Sequence, residues 1–169
     1  MVKEGTGILN GNLDKVSNTG SSFITVQMMR SVLGVGHDGA NGTGRAAAIA
    51  SGVRMDQIEI GGKTGSGPEA VWMMSVSPRL VIAVLLTYQC HSEIRNSKRL
   101  FAADTAALIW ARFTKSVARF RPDLLNGRFP RPSDVIEAKI DPKNGCRTTR
   151  AEGIREYFLK RSEPPSCAH

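Results

Sequence analysis

Apolar positions crowd residues 23–33 at helical spacing, with Ile24, Met28 and Val32 on one side and Met29 and Leu33 on another, and Gly34 stands where a stop is needed. The pattern predicts a buried helix. Upstream, residues 1–22 are rich in Gly, Asn, Ser and Thr and read as a loop-rich lead-in. Residues 34–44 carry five glycines and predict a flexible loop, and the alanine-rich run 45–51 predicts a short helix with Gly52 as its stop.

The period then changes. Residues 57–66, 70–76 and 80–88 predict three strands, the last two joined as a hairpin through Ser77, Pro78 and Arg79. The run from Leu80 to Leu86 has no polar side, which predicts a strand covered on both faces. Helical spacing returns over residues 97–119, where Phe101, Leu108, Ile109, Trp110, Phe113 and Val117 make a wide apolar stripe expected to pack on the sheet. Pro122, Pro130 and Pro132 mark residues 121–133 as an extended linker. Beyond it, 135–140 alternate and 141–145 make a turn, predicting a small hairpin before an irregular tail. These elements predict an α+β fold, an antiparallel sheet flanked by helices.

Composition narrows the possible chemistry. A chain of 169 residues is long enough for one domain with a real core, and no apolar stretch approaches the roughly 20 residues that cross a bilayer. The formal charge of +8 is uneven, with eight basic side chains against seven acidic up to Asn96 and fifteen against eight beyond it. A basic half suits anionic partners, but without an aromatic platform or binding motif it reads as a solvated face and predicts no nucleic-acid partner. Cys90, Cys146 and Cys167 match no zinc spacing, so no metal site is expected. Three free thiols are the expectation, with a Cys146–Cys167 disulfide as the alternative in an oxidising compartment.

The sharpest local signal is Gly61, Gly62, Lys63, Thr64, Gly65, Ser66. It is not a phosphate loop, because that pattern would need a glycine at Gln57 and would open a helix instead of lying on a strand. Read as K-T-G on a strand, it is one of three motifs used by penicillin-binding proteins and serine β-lactamases. Around it, Gly42 to Ala46, then Ala70 with Trp72, Ser77 with Pro78 and the apolar run from Leu80 to Tyr88 stand in the order and spacing of the transpeptidase domain of class A penicillin-binding proteins, which the chain resembles. The resemblance extends upstream to ITVQMMRSVL and downstream to Ile109, Trp110 and Phe113, to IDPKNG, and to Phe158, Ser162, Glu163, Pro164 and Cys167. It covers about residues 23–167.

The resemblance implies a partial serine β-lactamase/transpeptidase fold and a peptidoglycan D,D-transpeptidase activity that cross-links stem peptides through an acyl-serine. It implies Lys63 as the catalytic electrostatic residue, Thr64 as a hydroxyl donor to the terminal carboxylate of the peptide, Gly65 as a gap that lets the acyl chain lie against the strand, and the Ser66 N–H as an oxyanion donor. Trp72 is expected as core or cleft wall, and the K-T-G strand at a cleft edge. No cofactor is implied. Partners would be stem peptides and β-lactams in the complete domain, in an extracytoplasmic setting, with a glycosyltransferase domain and a membrane anchor upstream.

Two motifs of that family are missing. No serine is followed three residues later by lysine, and no Ser-x-Asn triplet occurs, so the nucleophile, its lysine base and the middle motif are absent. The implied chain begins after them and is expected to be inactive alone. Its implied organisation is a lead-in over 1–22, the C-terminal half of the transpeptidase domain over 23–120, and a linker, hairpin and tail over 121–169. The other class of function that fits is a noncatalytic remnant that binds peptidoglycan or a partner. Within the resemblance, the turn at Gly67, Pro68 and Glu69 is short, and Arg161 stands where the family has glycine.

Overall fold

The structure, a computed structural model, describes residues 18–36, 40–87 and 101–168. Most of the lead-in, Tyr88, Cys90 and the first residues of the expected long helix lie outside the described residues. Helix α1 spans Thr19–Val32 and so begins earlier than its apolar pattern does. Asn18 is the cause: its side-chain oxygen accepts the N–H of Gly20 at 2.7 Å and of Ser21 at 3.3 Å, an N-cap inside a segment whose composition suggests loop. Gly34, at φ 94°, ends the helix as expected, and α2 (Arg45–Ser51) stops at Gly52 with φ 70°.

Three antiparallel strands follow, β1 (Gly61–Ser66), β2 (Ala70–Val76) and β3 (Val81–Thr87), in the order β1-β2-β3. The first is shorter than expected, since residues 57–60 stay outside the ladder and place Ile60 in the core. At the β2–β3 turn the Ser77 N–H donates to Leu80 O (2.8 Å), while Ser77 Oγ accepts the Leu80 N–H (3.1 Å) and donates to Leu124 O (2.9 Å). One hydroxyl thus ties the turn to the 3₁₀ turn Pro122–Leu124 that follows the long helix.

The unbroken apolar run of β3 is not buried on both sides. Ile82 is buried and Val84 and Leu86 pack against the core, whereas Val81 and Leu85 are 63% exposed. The run is apolar throughout, so its composition cannot reveal that only one face meets the long helix in this chain.

That helix, α3 (Ala106–Phe120), is preceded by a 3₁₀ turn at Ala102–Asp104. It turns Ala106, Ala107, Trp110, Ala111, Thr114 and Val117 inward, and leaves Phe101, Leu108, Ile109 and Phe113 of the expected stripe exposed. Small side chains explain the choice of face: three alanines let the helix lie close, and Trp110 fills the remaining space with no exposed surface. Its indole Nε1 donates to Ser75 Oγ at 2.7 Å, so helix and sheet are held in one register. Each fully buried large side chain in this layer contributes roughly 1.5–3 kcal/mol of transfer free energy.

A second, two-stranded sheet pairs β4 (Val135–Ile140) with β5 (Ile154–Leu159) antiparallel. Strand β5 falls in the segment expected to be irregular; Ile154, Glu156 and Phe158 alternate there with Arg155, Tyr157 and Leu159, but the charges obscure the period. The hairpin docks on α1 through Phe23 and Tyr157, whose rings meet edge to face at 5.3 Å. Gly20 fits closely at that contact, where a Cβ would displace the side-chain ends of Leu159 and Asp134. Cys146 and Cys167 form a disulfide, which corrects the expectation of free thiols; the fold brings their Cα atoms to 5.0 Å, a proximity that a separation of 21 residues does not announce. Antiparallel sheets with three flanking helices among the described residues make this an α+β fold, as expected.

Candidate active site

Strand alternation decides where each motif residue points. In the β1–β2 register Thr64 opposes Met73, and Gly62 opposes Ser75, both on the core face; Lys63 opposes Met74 and Gly65 opposes Trp72 on the outer face. Thr64 is accordingly buried at 8% exposure, and Lys63 is exposed. Lys63 and Thr64 therefore leave the strand on opposite sides. They meet again at its edge, where Lys63 Nζ donates to Thr64 O at 2.7 Å.

Among the described residues β1 is an edge strand. The closing hydrogen bond from Gly67 N–H to Ala70 O (2.8 Å) sets the phase of the ladder, so Gly65 and Lys63 bond to β2, while the N–H and C=O of Thr64 and Ser66 point away from it. The Ser66 N–H has no hydrogen-bond partner among the described residues. The Ser66 hydroxyl is engaged from the other direction: its Oγ accepts the Ala102 N–H at 2.9 Å, which leaves its own proton for donation.

One neighbour has no counterpart in the expected site. Thr43 Oγ1 lies 2.6 Å from Thr64 Oγ1. The loop that carries Thr43 is fixed by its glycines: a Cβ at Gly42 would collide with the carbonyl oxygens of Ser31 and Val32, and the Gly44 N–H donates to Val32 O at 2.9 Å. Gly-Thr-Gly at 42–44 is thereby pressed onto the end of α1 with Thr43 over the core side of β1. The flanking glycines were the available signal in the sequence, but nothing in their spacing names Thr64 as the partner.

Gly65 differs from its expected use. The Trp72 indole lies across it, in the volume a Cβ would occupy, so the space above the glycine is filled by this chain's own side chain. Trp72 is 37% exposed and forms a wall on the outer face, beside Met74. Groups of His, Cys, Asp and Glu able to hold a metal are absent among the described residues.

Comparison with family models finds no match, and neither does comparison with curated proteins. Among solved structures the chain is similar to penicillin-binding protein 1A from Haemophilus influenzae, with a TM-score of 0.61 and 23% sequence identity over 76% of this chain. It spans 18% of that protein's chain. The likeness is one of fold: the chain shares an antiparallel α+β architecture with that structure.

Proposed function

We propose that this chain is the C-terminal part of the transpeptidase domain of a class A penicillin-binding protein, supplying the K-T-G wall of a peptidoglycan cross-linking site whose serine nucleophile lies upstream. The observation that carries this reading is the position of Lys63-Thr64-Gly65 on a strand that is an edge among the described residues and is backed by α1, within a fold shared with penicillin-binding protein 1A. Residues 23–120 form the catalytic-domain portion, and 121–169 the linker, hairpin and tail. The complete protein acts outside the cytoplasm, with its anchor and glycosyltransferase segment upstream.

In this mechanism an upstream serine Oγ attacks the penultimate D-alanine carbonyl. The C–N bond breaks, D-alanine leaves with a proton on its amine, and the acyl group passes to the amine of a neighbouring stem peptide. Lys63 contributes a positive charge for the terminal carboxylate, Thr64 a hydroxyl from the opposite face of the strand, and the outward N–H of Ser66 a donor for the oxyanion. None of these is a nucleophile. The chain by itself has no means of forming the acyl-enzyme.

A second reading, a noncatalytic remnant that binds peptidoglycan peptides, is favoured by the Trp72 indole across Gly65, which fills the place where an acyl chain would lie. Intact-mass measurement after excess benzylpenicillin separates the readings. The expected result is no adduct on this chain and one serine-linked adduct on the same chain extended upstream to the first S-x-x-K. A stoichiometric adduct on this chain, or none on the extended one, overturns the transpeptidase reading, and the latter favours the remnant.

A further inference from the structure

The turn at the end of β4 concentrates positive charge. Gly145, at φ 71°, closes a turn in which its N–H donates to Asp141 O (2.8 Å), and the chain returns so that Arg147 bridges Ile140 on one side and Ser166 on the other. The Arg147 N–H donates to Pro165 O and the Cys167 N–H to Arg147 O, each at 2.9 Å, with the Cys146–Cys167 disulfide covalently tying the same two segments. Between them lies a cleft of about 360 Å³ whose charged lining is Lys139, Arg147 and Arg150, with the hydroxyls of Thr148, Thr149 and Ser166 and, among the described residues, no carboxylate.

Among the described residues no carboxylate pairs with Lys139, Arg147 or Arg150. Lys139 stands directly opposite Arg155 in the β4–β5 register, a like-charge pair that costs stability unless relieved. The nearby carboxylate, Glu137, is spent on Arg155 at 3.2 Å and Arg131 at 3.8 Å. Lys139 Nζ turns instead to the Arg150 carbonyl and Arg147 Nη2 to Ser166 Oγ, both at 3.4 Å, and none of the three forms an ion pair among the described residues. Thr148 Oγ1 accepts the Arg150 N–H at 3.2 Å, so its proton remains to be donated.

We infer that this disulfide-closed cleft is a binding site for a phosphate-type oxyanion. A tetrahedral dianion offers enough acceptor oxygens for two guanidinium groups, an ammonium and the hydroxyls at once, and it relieves the Lys139–Arg155 repulsion. The site is independent of the K-T-G strand and does not rest on the transpeptidase reading. The same chemistry is presented by free phosphate and by an anionic lipid headgroup.

The test is an amide-resolved NMR titration with inorganic phosphate, ionic strength held constant with chloride, on the oxidised chain. Saturable shifts confined to the neighbourhoods of Lys139, 147–150 and 166–168 are expected, with a Kd on the order of 1 mM. The double variant Arg147→Gln, Arg150→Gln should weaken binding about tenfold or more. The control Arg112→Gln, Lys115→Gln, which removes equal charge from α3, should not. Sedimentation with phosphatidylglycerol vesicles, against phosphatidylcholine, distinguishes the sources: retention lost in the cleft variant but kept in the α3 variant assigns the lipid headgroup. Unsaturable or dispersed shifts together with vesicle binding indifferent to which pair is changed would overturn the proposal.

Discussion

Thr43 and Thr64, 21 residues apart, share a hydrogen bond of 2.6 Å between their hydroxyl oxygens. The direction of that bond matters to what Thr64 can do. If Thr43 donates, Thr64 keeps its own proton for another acceptor at the strand edge; a partner that only accepts would consume it. Because Gly42 and Gly44 hold the Thr43 loop against the end of α1, the contact is a property of the fold and survives without substrate. Thr43→Val should release the Thr64 side chain from its rotamer and cost about 1 kcal/mol, and Thr43→Ser should preserve both. Methyl chemical shift and side-chain couplings of Thr64, with a denaturant midpoint, check this. An unchanged Thr64 rotamer in the valine variant would count against the contact.

Trp110 and Ser75 form the bond that fixes α3 on the sheet, and both are fully enclosed. Ser75→Ala leaves a buried indole N–H without an acceptor, at a cost of about 1–3 kcal/mol. Trp110→Phe removes the donor along with part of the volume and should cost a similar amount or more. Because both changes break the same bond, their effects in the double variant should fall short of the sum by about 0.5 kcal/mol or more, read from urea denaturation of the four proteins of the cycle. Full additivity would mean the bond contributes nothing to stability.

Thr114, on the same buried face of α3, has no exposed surface, and its hydroxyl oxygen has no hydrogen-bond partner among the described residues. Replacing such a group by a methyl of the same shape removes a desolvation cost without opening a cavity. Thr114→Val should therefore leave stability unchanged or raise it by up to about 1 kcal/mol. A fall in stability of that size, seen as a lowered thermal midpoint, would reveal a partner for the hydroxyl.

The two surface pairs Arg54–Asp56 (2.7 Å) and Arg121–Asp123 (3.0 Å) hold both carboxyls below the ordinary carboxylate range, chiefly through the arginine hydrogen bonds. A carboxyl with a depressed folded-state pKa adds stability above its unfolded value, near 4, and loses it as pH falls through the folded one. Both pairs are solvent-exposed, so the effect is small. Asp123→Asn should lower stability slightly in the neutral region, where the ionised pair contributes, and leave it unchanged at pH below the folded-state pKa, as urea denaturation at neutral and strongly acid pH would show.

Much of the fold was legible in the sequence because its strongest signals are local. The Gly52 stop, the bounds of α2 and β2, and the Ser77-Pro78 turn depend on propensity and turn chemistry within a few residues. What escaped depends on partners far along the chain. The inward face of α3 is chosen by alanines that fit the sheet over larger apolar residues, the disulfide by a return of the tail onto Arg147, and the cover over Gly65 by a cross-strand tryptophan. The motif around Lys63 was legible as residues, but the division of Lys63 and Thr64 between two faces required the register.

The outer face of the sheet gives the last prediction. Val81 and Leu85, each 63% exposed, stand on β3 beside Met74 and Trp72 on β2, and β3 is an edge strand among the described residues. An apolar face next to an open edge invites association, since the edge offers unpaired backbone groups and the side chains offer area. This chain should self-associate as concentration rises, and Val81→Lys with Leu85→Lys should return it to monomer. Because both side chains are mostly in solvent, those changes should alter the chain's own stability by only about 0.5 kcal/mol each. In a chain extended upstream, where the proposed remainder of the domain covers this face, the same substitutions would bury two charges and should destabilise by several kcal/mol. Sedimentation and denaturation of both proteins decide the matter. If the substitutions prove equally mild in the extended chain, the face is solvent in the whole protein and the upstream segment packs elsewhere.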